Sequence, residues 1–143
     1  MTSSSSSAPV DRDKIPRAAA LAVGYSVAAN LIARQLLARV IEFPAGFLPL
    51  APGAIAVFTL VGTALGGLVF WLMARALPNP LRPFQLIALA VLVLSCMPNV
   101  LWMLNPQTAP VPGGTPQAFG VLMVFHVIAG VITIFVLSRM TRG

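Results

Sequence analysis

Two long stretches of this 143-residue sequence contain no charged side chain. Asp, Glu, Lys and Arg are absent from Phe43 to Ala74 and again from Pro83 to Ser138. A domain with such long uncharged segments would not be soluble in water. A helix that crosses a bilayer, in contrast, needs about 20 predominantly apolar residues. The two stretches have room for three such helices, and another apolar run begins at Ala18. The pattern therefore predicts a multi-pass membrane protein.

The composition limits the partners that such a chain can have. Hydrophobic residues make up 58% of the sequence and charged residues 8%, against about 25% charged in an average soluble domain. The formal charge of +6 could indicate nucleic-acid binding, but the basic residues stand in ones and twos at the ends of apolar runs, where they meet lipid headgroups. We expect the lipid bilayer as partner and no nucleic acid. The single cysteine, Cys96, excludes an intrachain disulfide and a cysteine-based metal cluster.

The predicted fold class is all-α, a four-transmembrane-helix bundle that occupies residues 16–142. The spans are predicted at about residues 18–37, 53–74, 84–104 and 117–137. The serine-rich start has no apolar periodicity, so residues 1–15 are predicted to form a disordered cytoplasmic tail. A basic turn with three prolines, residues 75–83, joins the second and third spans, and residues 105–116 form an uncharged loop between the third and fourth.

The distribution of basic residues predicts the orientation in the cell membrane. With the N-terminus inside, only Arg34 and Arg39 lie outside, whereas seven basic residues are cytoplasmic: Arg12, Lys14, Arg17, Arg75, Arg82, Arg139 and Arg142. Both termini are therefore expected in the cytoplasm. An alternative for the first span is a secretory signal cleaved after Ala28. We prefer a retained span, because the apolar character continues past Ala28 to Leu37.

Polar residues inside the spans are the candidate site, because each is costly in lipid unless it has a partner. Ser26, Asn30 and Arg34 lie on one stripe of the first helix, since they are spaced by four residues. The other spans each offer one polar stripe or residue, with Thr63, Ser95 and His126 expected at the depth of Asn30 and the rest nearer the outer surface. The candidate ligand-binding cluster is Asn30, Arg34, Thr59, Thr63, Ser95, Asn99 and His126. Two interpretations stay open, a binding or transport site and mere interhelical hydrogen bonding.

Three further features allow both a functional and a structural interpretation. His126 could ligate a haem or pigment, with Ala129 and Gly130 leaving room for a flat ring. A haem usually needs two axial ligands, however, and the sequence has no second histidine. We therefore predict no cofactor, and we also predict no metal ion and no catalytic residue. The apolar connection of residues 42–52 is either a lid over a ligand or an interfacial anchor. The glycine pair Gly62 and Gly66 has the spacing of close helix packing and is expected to pack the second span within the bundle.

The chain resembles a known family. The resemblance lies in the run from Leu77 to Ser95, in Pro98-Asn99, and in His126-Val-Ile-Ala129. These segments are similar to a family of small bacterial four-helix membrane proteins, mainly of high-GC Gram-positive bacteria, that is known only as a domain of unknown function. The resemblance covers about residues 17–142 and implies four spans after a disordered N-terminus. It implies no activity and no catalytic residue.

The sequence contains no enzyme signature. Nucleophile–base pairs, paired carboxylates, phosphate loops and metal-ligand spacings are absent from it, so we expect a protein that is not an enzyme. The first hypothesis is a small membrane protein whose bundle interior binds or passes a lipophilic or small polar ligand. The second is a non-catalytic subunit of a larger membrane complex, or of a homo-oligomer. A ligand site needs polar stripes that face inward together, whereas a subunit can point one outward to a partner.

Overall fold

The computed structural model describes residues 10–143, and these residues form four long helices. The helices are α1 (Ile15–Leu37), α2 (Pro52–Ala76), α3 (Leu81–Leu104) and α4 (Pro116–Met140). Each is long and apolar enough to cross a membrane. The prediction of an all-α, four-helix membrane protein is thus confirmed, and each predicted span boundary lies within three residues of an observed helix end.

Prolines and one threonine explain where the helices begin. Pro16, Pro52 and Pro116 lie in the first turns of α1, α2 and α4, where the missing N–H has no helical partner to lose. Thr115 caps α4, since its hydroxyl accepts a hydrogen bond from the backbone N–H of Ala118 at 3.2 Å. Short 3-10 turns lie before α1 and in the connections of residues 38–51 and 105–115.

The two ends of the described part of the chain, at Val10 and Gly143, lie together at one end of the bundle, which we call the termini end. The backbone N–H of Asp11 donates to the carbonyl of Thr141 at 2.8 Å, and Val10 forms an isolated bridge with Arg142. The predicted tail includes residues that are ordered here, because Val10, Asp11 and Lys14 contact the C-terminal segment. Residues 1–9 of that prediction lie outside the described residues. The opposite end, with residues 38–51 and 105–115, is the loop end.

Helix α1 packs against both α2 and α4, α4 also packs against α3, and α2 barely contacts α3. Small residues allow this arrangement. A Cβ added to Gly67 would lie 2.8 Å from the Cβ of Ala19, so the α1 and α2 backbones approach closely there. Gly66 faces Thr133 of α4 in the same way, at 3.2 Å, whereas the space beside Gly62 is open. The second span packs within the bundle as expected, but through Gly66 and Gly67 rather than through Gly62.

Two apolar clusters occupy the two ends of the bundle. The termini-end cluster is built from Ile15, Ala18, Phe70, Ala74, Phe84 and Leu137. The loop-end cluster is built from Phe47, Leu50, Ile55, Ala118, Phe119, Val121 and Phe125. Buried polar side chains lie between these clusters on α1 and α2, with Thr133 on α4, so the interior has an apolar–polar–apolar order along its length.

The connection of residues 38–51 folds back over the loop end. Phe47 and Leu50 are buried, and the ring of Phe47 meets that of Phe119 edge to face at a centroid distance of 5.4 Å. Leu48 between them is exposed. The connection therefore covers the end of the bundle with two side chains and presents a third to the surroundings, which combines features of both sequence interpretations.

Candidate functional site

Asn30 is the centre of the buried polar layer. Its side-chain amide Nδ2 donates to the Thr59 hydroxyl of α2 at 2.9 Å and to the Phe125 backbone carbonyl of α4 at 3.2 Å. The side chain is 1% exposed. One residue of α1 thus links three helices by hydrogen bonds. We call Ser26, Asn30, Thr59 and the Phe125 carbonyl the asparagine node.

Two buried polar atoms of the node have no hydrogen-bond partner among the described residues. They are the amide oxygen Oδ1 of Asn30 and the hydroxyl oxygen of Ser26. Both side chains are nearly completely buried, and leaving such a group unpaired costs about 1–3 kcal/mol. The two residues are one helical turn apart, about 6 Å along the axis. A buried hydroxyl donor and a buried amide acceptor therefore stand close together, each without a partner.

Thr63 faces the same interior but is satisfied within its own helix. Its hydroxyl donates to the Thr59 carbonyl at 2.7 Å and approaches the Leu60 carbonyl at 3.2 Å. This is the local bond to the preceding turn that Ser and Thr often make in helices. Thr63 is therefore close to the node without being linked to it by its side chain.

The polar residues of α3 and α4 do not join the node by side-chain hydrogen bonds. Ser95 donates to the Leu92 carbonyl at 2.7 Å, and the Asn99 amide reaches the Ser95 carbonyl at 3.4 Å. His126 bonds the Leu122 carbonyl of its own helix at 2.7 Å. Among the described residues, the side chains of the four predicted stripes are thus not all joined by hydrogen bonds, although Asn99 is buried. The seven predicted residues divide into a group on α1 and α2 and a group on α3 and α4.

Helices α3 and α4 run antiparallel, and three contacts define their register. Gln85 donates to the Ser138 hydroxyl at 2.9 Å, Leu92 fills the space beside Gly130, and Met103 lies against Gly120. In this register, His126 is level with Cys96 and Met97, within one turn of Asn99. Ser95, Asn99 and His126 therefore lie at a similar depth on α3 and α4. Each bonds to a carbonyl of its own helix. The Gln85–Ser138 bond was not predicted, because nothing in the sequence pairs positions on different helices.

The His126 side chain bonds within its own helix. A carbonyl oxygen can only accept, so Nδ1 carries the proton that the Leu122 carbonyl binds. The ring is half-buried. The predicted room for a flat ring beside Gly130 is filled, since the Leu92 side chain lies 3.0 Å from where a Cβ of Gly130 would stand. Among the described residues, no group of three or more His, Cys, Asp or Glu could hold a metal ion.

Arg34 holds the connection that covers the loop end. Its Nε donates to the Leu50 carbonyl at 2.7 Å, and its guanidinium carbon lies 5.4 Å from the centre of the Phe43 ring. The side chain is half-buried. Arg34 therefore neither enters the polar layer nor extends freely to lipid headgroups. It fastens residues 43–50 onto the end of α1.

The comparison with known proteins adds a family. The sequence profile described as "Family of unknown function (DUF6069)" matches residues 10–143. The chain belongs to this family. The resemblance to a family of unknown function that the sequence indicated is confirmed. Neither the curated proteins nor the solved structures contain a significant match. Membership assigns no role to any residue, so the site is defined by its geometry.

Proposed function

We propose that this membrane protein binds a small lipophilic molecule carrying a hydroxyl group, at the asparagine node between α1, α2 and α4. The observation that carries the proposal is the pair of unpartnered buried atoms, Ser26 Oγ and Asn30 Oδ1. A hydroxyl group accepts one hydrogen bond and donates another. At about 2.8 Å from each partner, it spans the helical turn that separates the two residues. It would satisfy both buried atoms at once.

The surroundings of the node favour a molecule that is otherwise apolar. Phe125, whose carbonyl accepts from Asn30, belongs to the loop-end cluster together with Phe47 and Leu50. The apolar part of a ligand would replace contacts of this cluster, and the connection held by Arg34 would have to open for entry from the loop end. The inward-facing polar stripes of α1 and α2 favour a ligand site over a surface for a partner subunit.

Native mass spectrometry of protein extracted with a mild detergent tests this proposal. We expect a bound species of a few hundred daltons on the natural protein, and its loss from Ser26→Ala and Asn30→Leu, which each remove one of the unpartnered atoms. Arg39→Leu is the matched control, because Arg39 is exposed at the loop end, and it should keep the bound species. A spectrum with no bound species, or with the same species on all variants, would contradict ligand binding at the node.

The remaining assignments are part of the same proposal. The protein acts without catalysis, in the cell membrane, with both termini in the cytoplasm. The support for this orientation is the excess of basic residues at the termini end, seven against two at the loop end. A binding protein of this kind would receive its ligand from the lipid phase, since every long helix is apolar enough to span the bilayer.

A second candidate is a non-catalytic subunit that joins other membrane chains, or further copies of itself, through α3. In the most apolar 18 residues of α3, only 6% are buried, against 28% in the corresponding segment of each of the other three helices. This helix therefore offers the largest unpacked face to lipid or to a partner. The same spectra distinguish the candidates, because a subunit would carry the mass of a further chain rather than that of a small molecule.

A further inference from the structure

The termini end carries a large excess of positive charge. Seven basic side chains lie there, all of them exposed: Arg12, Lys14, Arg17, Arg75, Arg82, Arg139 and Arg142. Asp11 and Asp13 are the acidic side chains at this end, and Lys14 pairs with Asp11 at 3.4 Å. The six arginines have no carboxylate partner among the described residues. Their charge is therefore available to an external anion.

Two of these arginines lie folded against aromatic rings of their own helices. The guanidinium carbon of Arg75 is 4.3 Å from the centre of the Trp71 ring, and that of Arg139 is 5.2 Å from the centre of the Phe135 ring. In both pairs the aromatic residue precedes the arginine by four positions, so it lies one turn deeper in the membrane. The ring contact thus holds each guanidinium down beside the helix instead of letting it extend into water.

The geometry leaves the donors of both guanidinium groups free. Neither Arg75 nor Arg139 has a side-chain hydrogen bond to the described residues, and an aromatic ring covers only one face of each planar group. The edge of the group, with its N–H donors, matches a phosphate or carboxylate in bidentate geometry. Helices α1 and α3 begin at the same end, and the unpaired N–H groups of their first turns also favour an anion.

We propose that Arg75 and Arg139 bind the phosphate groups of anionic phospholipids in the leaflet at the termini end. Depth decides the source of the phosphate: each guanidinium is held against a ring one turn inside the helix end, at the level of lipid headgroups. A basic residue at this position strengthens binding of an anionic over a zwitterionic lipid by about fivefold. This surface is independent of the asparagine node, which lies within the bundle on the other side of the termini-end cluster.

Quenching of tryptophan fluorescence by brominated lipids tests the proposal with a reporter beside the site. The sequence contains two tryptophans, so Trp102→Phe leaves Trp71 as the only emitter. The protein is reconstituted in phosphatidylcholine vesicles that contain brominated phosphatidylglycerol or, in parallel, brominated phosphatidylcholine. We expect brominated phosphatidylglycerol to occupy the site next to Trp71 about fivefold more strongly at low salt, and this preference to fall when Arg75→Gln is added.

Matched variants locate the effect. Trp71→Phe leaves Trp102 near the loop end, where the preference should be close to one. Phe135→Trp, in a chain that also carries Trp71→Phe and Trp102→Phe, puts the reporter beside Arg139, and Arg139→Gln should remove its preference. Arg39→Gln should change neither reporter. Equal quenching by both lipids beside Trp71, or a preference unchanged by Arg75→Gln, would overturn the proposal. So would loss of the preference in inorganic phosphate but not in chloride of equal ionic strength, since that result would indicate a site for a soluble anion.

Discussion

The amide nitrogen of Asn30 lies 2.9 Å from the hydroxyl oxygen of Thr59, and this hydrogen bond joins α1 to α2 inside the bundle. The two residues face each other where the helices already lie close, because Gly67 and Ala19 bring the same pair of backbones together nearer the termini end. Van der Waals packing of small residues and hydrogen bonding of polar ones are the forces that join helices in lipid. Here they act on one interface at two depths.

Replacing Thr59 by valine should weaken that interface. Thr59→Val keeps the shape of the side chain but removes the acceptor for Asn30, so we expect the free energy of unfolding to fall by about 0.6–1.7 kcal/mol. Thr63→Val is the matched control, because the Thr63 hydroxyl bonds only to carbonyls of its own helix, and it should cost less than about 0.5 kcal/mol. Equilibrium unfolding in mixed micelles measures both variants. Equal losses would show that the bond between α1 and α2 contributes nothing of its own.

Two glycines of α2 offer a second matched pair. A methyl group at Gly67 would meet the Cβ of Ala19 at 2.8 Å, so Gly67→Ala must push α1 away from α2. We expect a loss of about 1–3 kcal/mol, as for overpacking elsewhere in proteins. Gly62→Ala meets nothing within 4 Å and should be neutral or slightly stabilising, since alanine favours the helix. The same unfolding assay applies, and a Gly62→Ala variant as unstable as Gly67→Ala would contradict the observed packing.

The sequence predicts the helices well because span length and hydropathy are local properties. It also places Asn30 and Thr59 on inward stripes, since spacing by four residues identifies a common face within one helix. It does not predict the partners of Asn99 and His126, although Asn99 is buried. Whether a side chain bonds its own preceding turn instead of a neighbouring helix depends on packing that a single sequence does not encode.

The connection between α1 and α2 shows the same limit. Phe47, Leu48 and Leu50 have similar hydrophobicity, yet the first and third are buried and the second is exposed. The 3-10 turn of residues 48–50 directs these side chains, and the partner of Phe47 is Phe119, far away in the sequence. Arg34 is similar, because its acceptor is a backbone carbonyl, Leu50, which no residue pattern reveals.

The first helix should be retained in the mature protein. Ile15, Ala18, Ala22, Ser26 and Asn30 form the buried face of α1, and α1 packs on both α2 and α4. Cleavage after Ala28 would remove most of this face and would expose the stripe of α2 that includes Gly67. Intact-mass measurement of the purified protein checks this expectation. A mature chain that begins at Ala29 would mean that residues 12–28 serve as a secretory signal.

The orientation can be tested with single cysteines at opposite ends of the bundle. Cys96→Ser first removes the natural thiol, and Asn79→Cys or Gln107→Cys then adds one thiol at the termini end or the loop end, where both positions are exposed. Because basic residues are retained on the cytoplasmic side, a membrane-impermeant maleimide should label residue 107 in intact cells and residue 79 only after permeabilisation. Labelling of residue 79 but not residue 107 in intact cells would show that the protein has the opposite orientation. The ring-held guanidinium groups of Arg75 and Arg139 would then face the outer leaflet, and the anionic lipid that they are proposed to bind would have to be sought there.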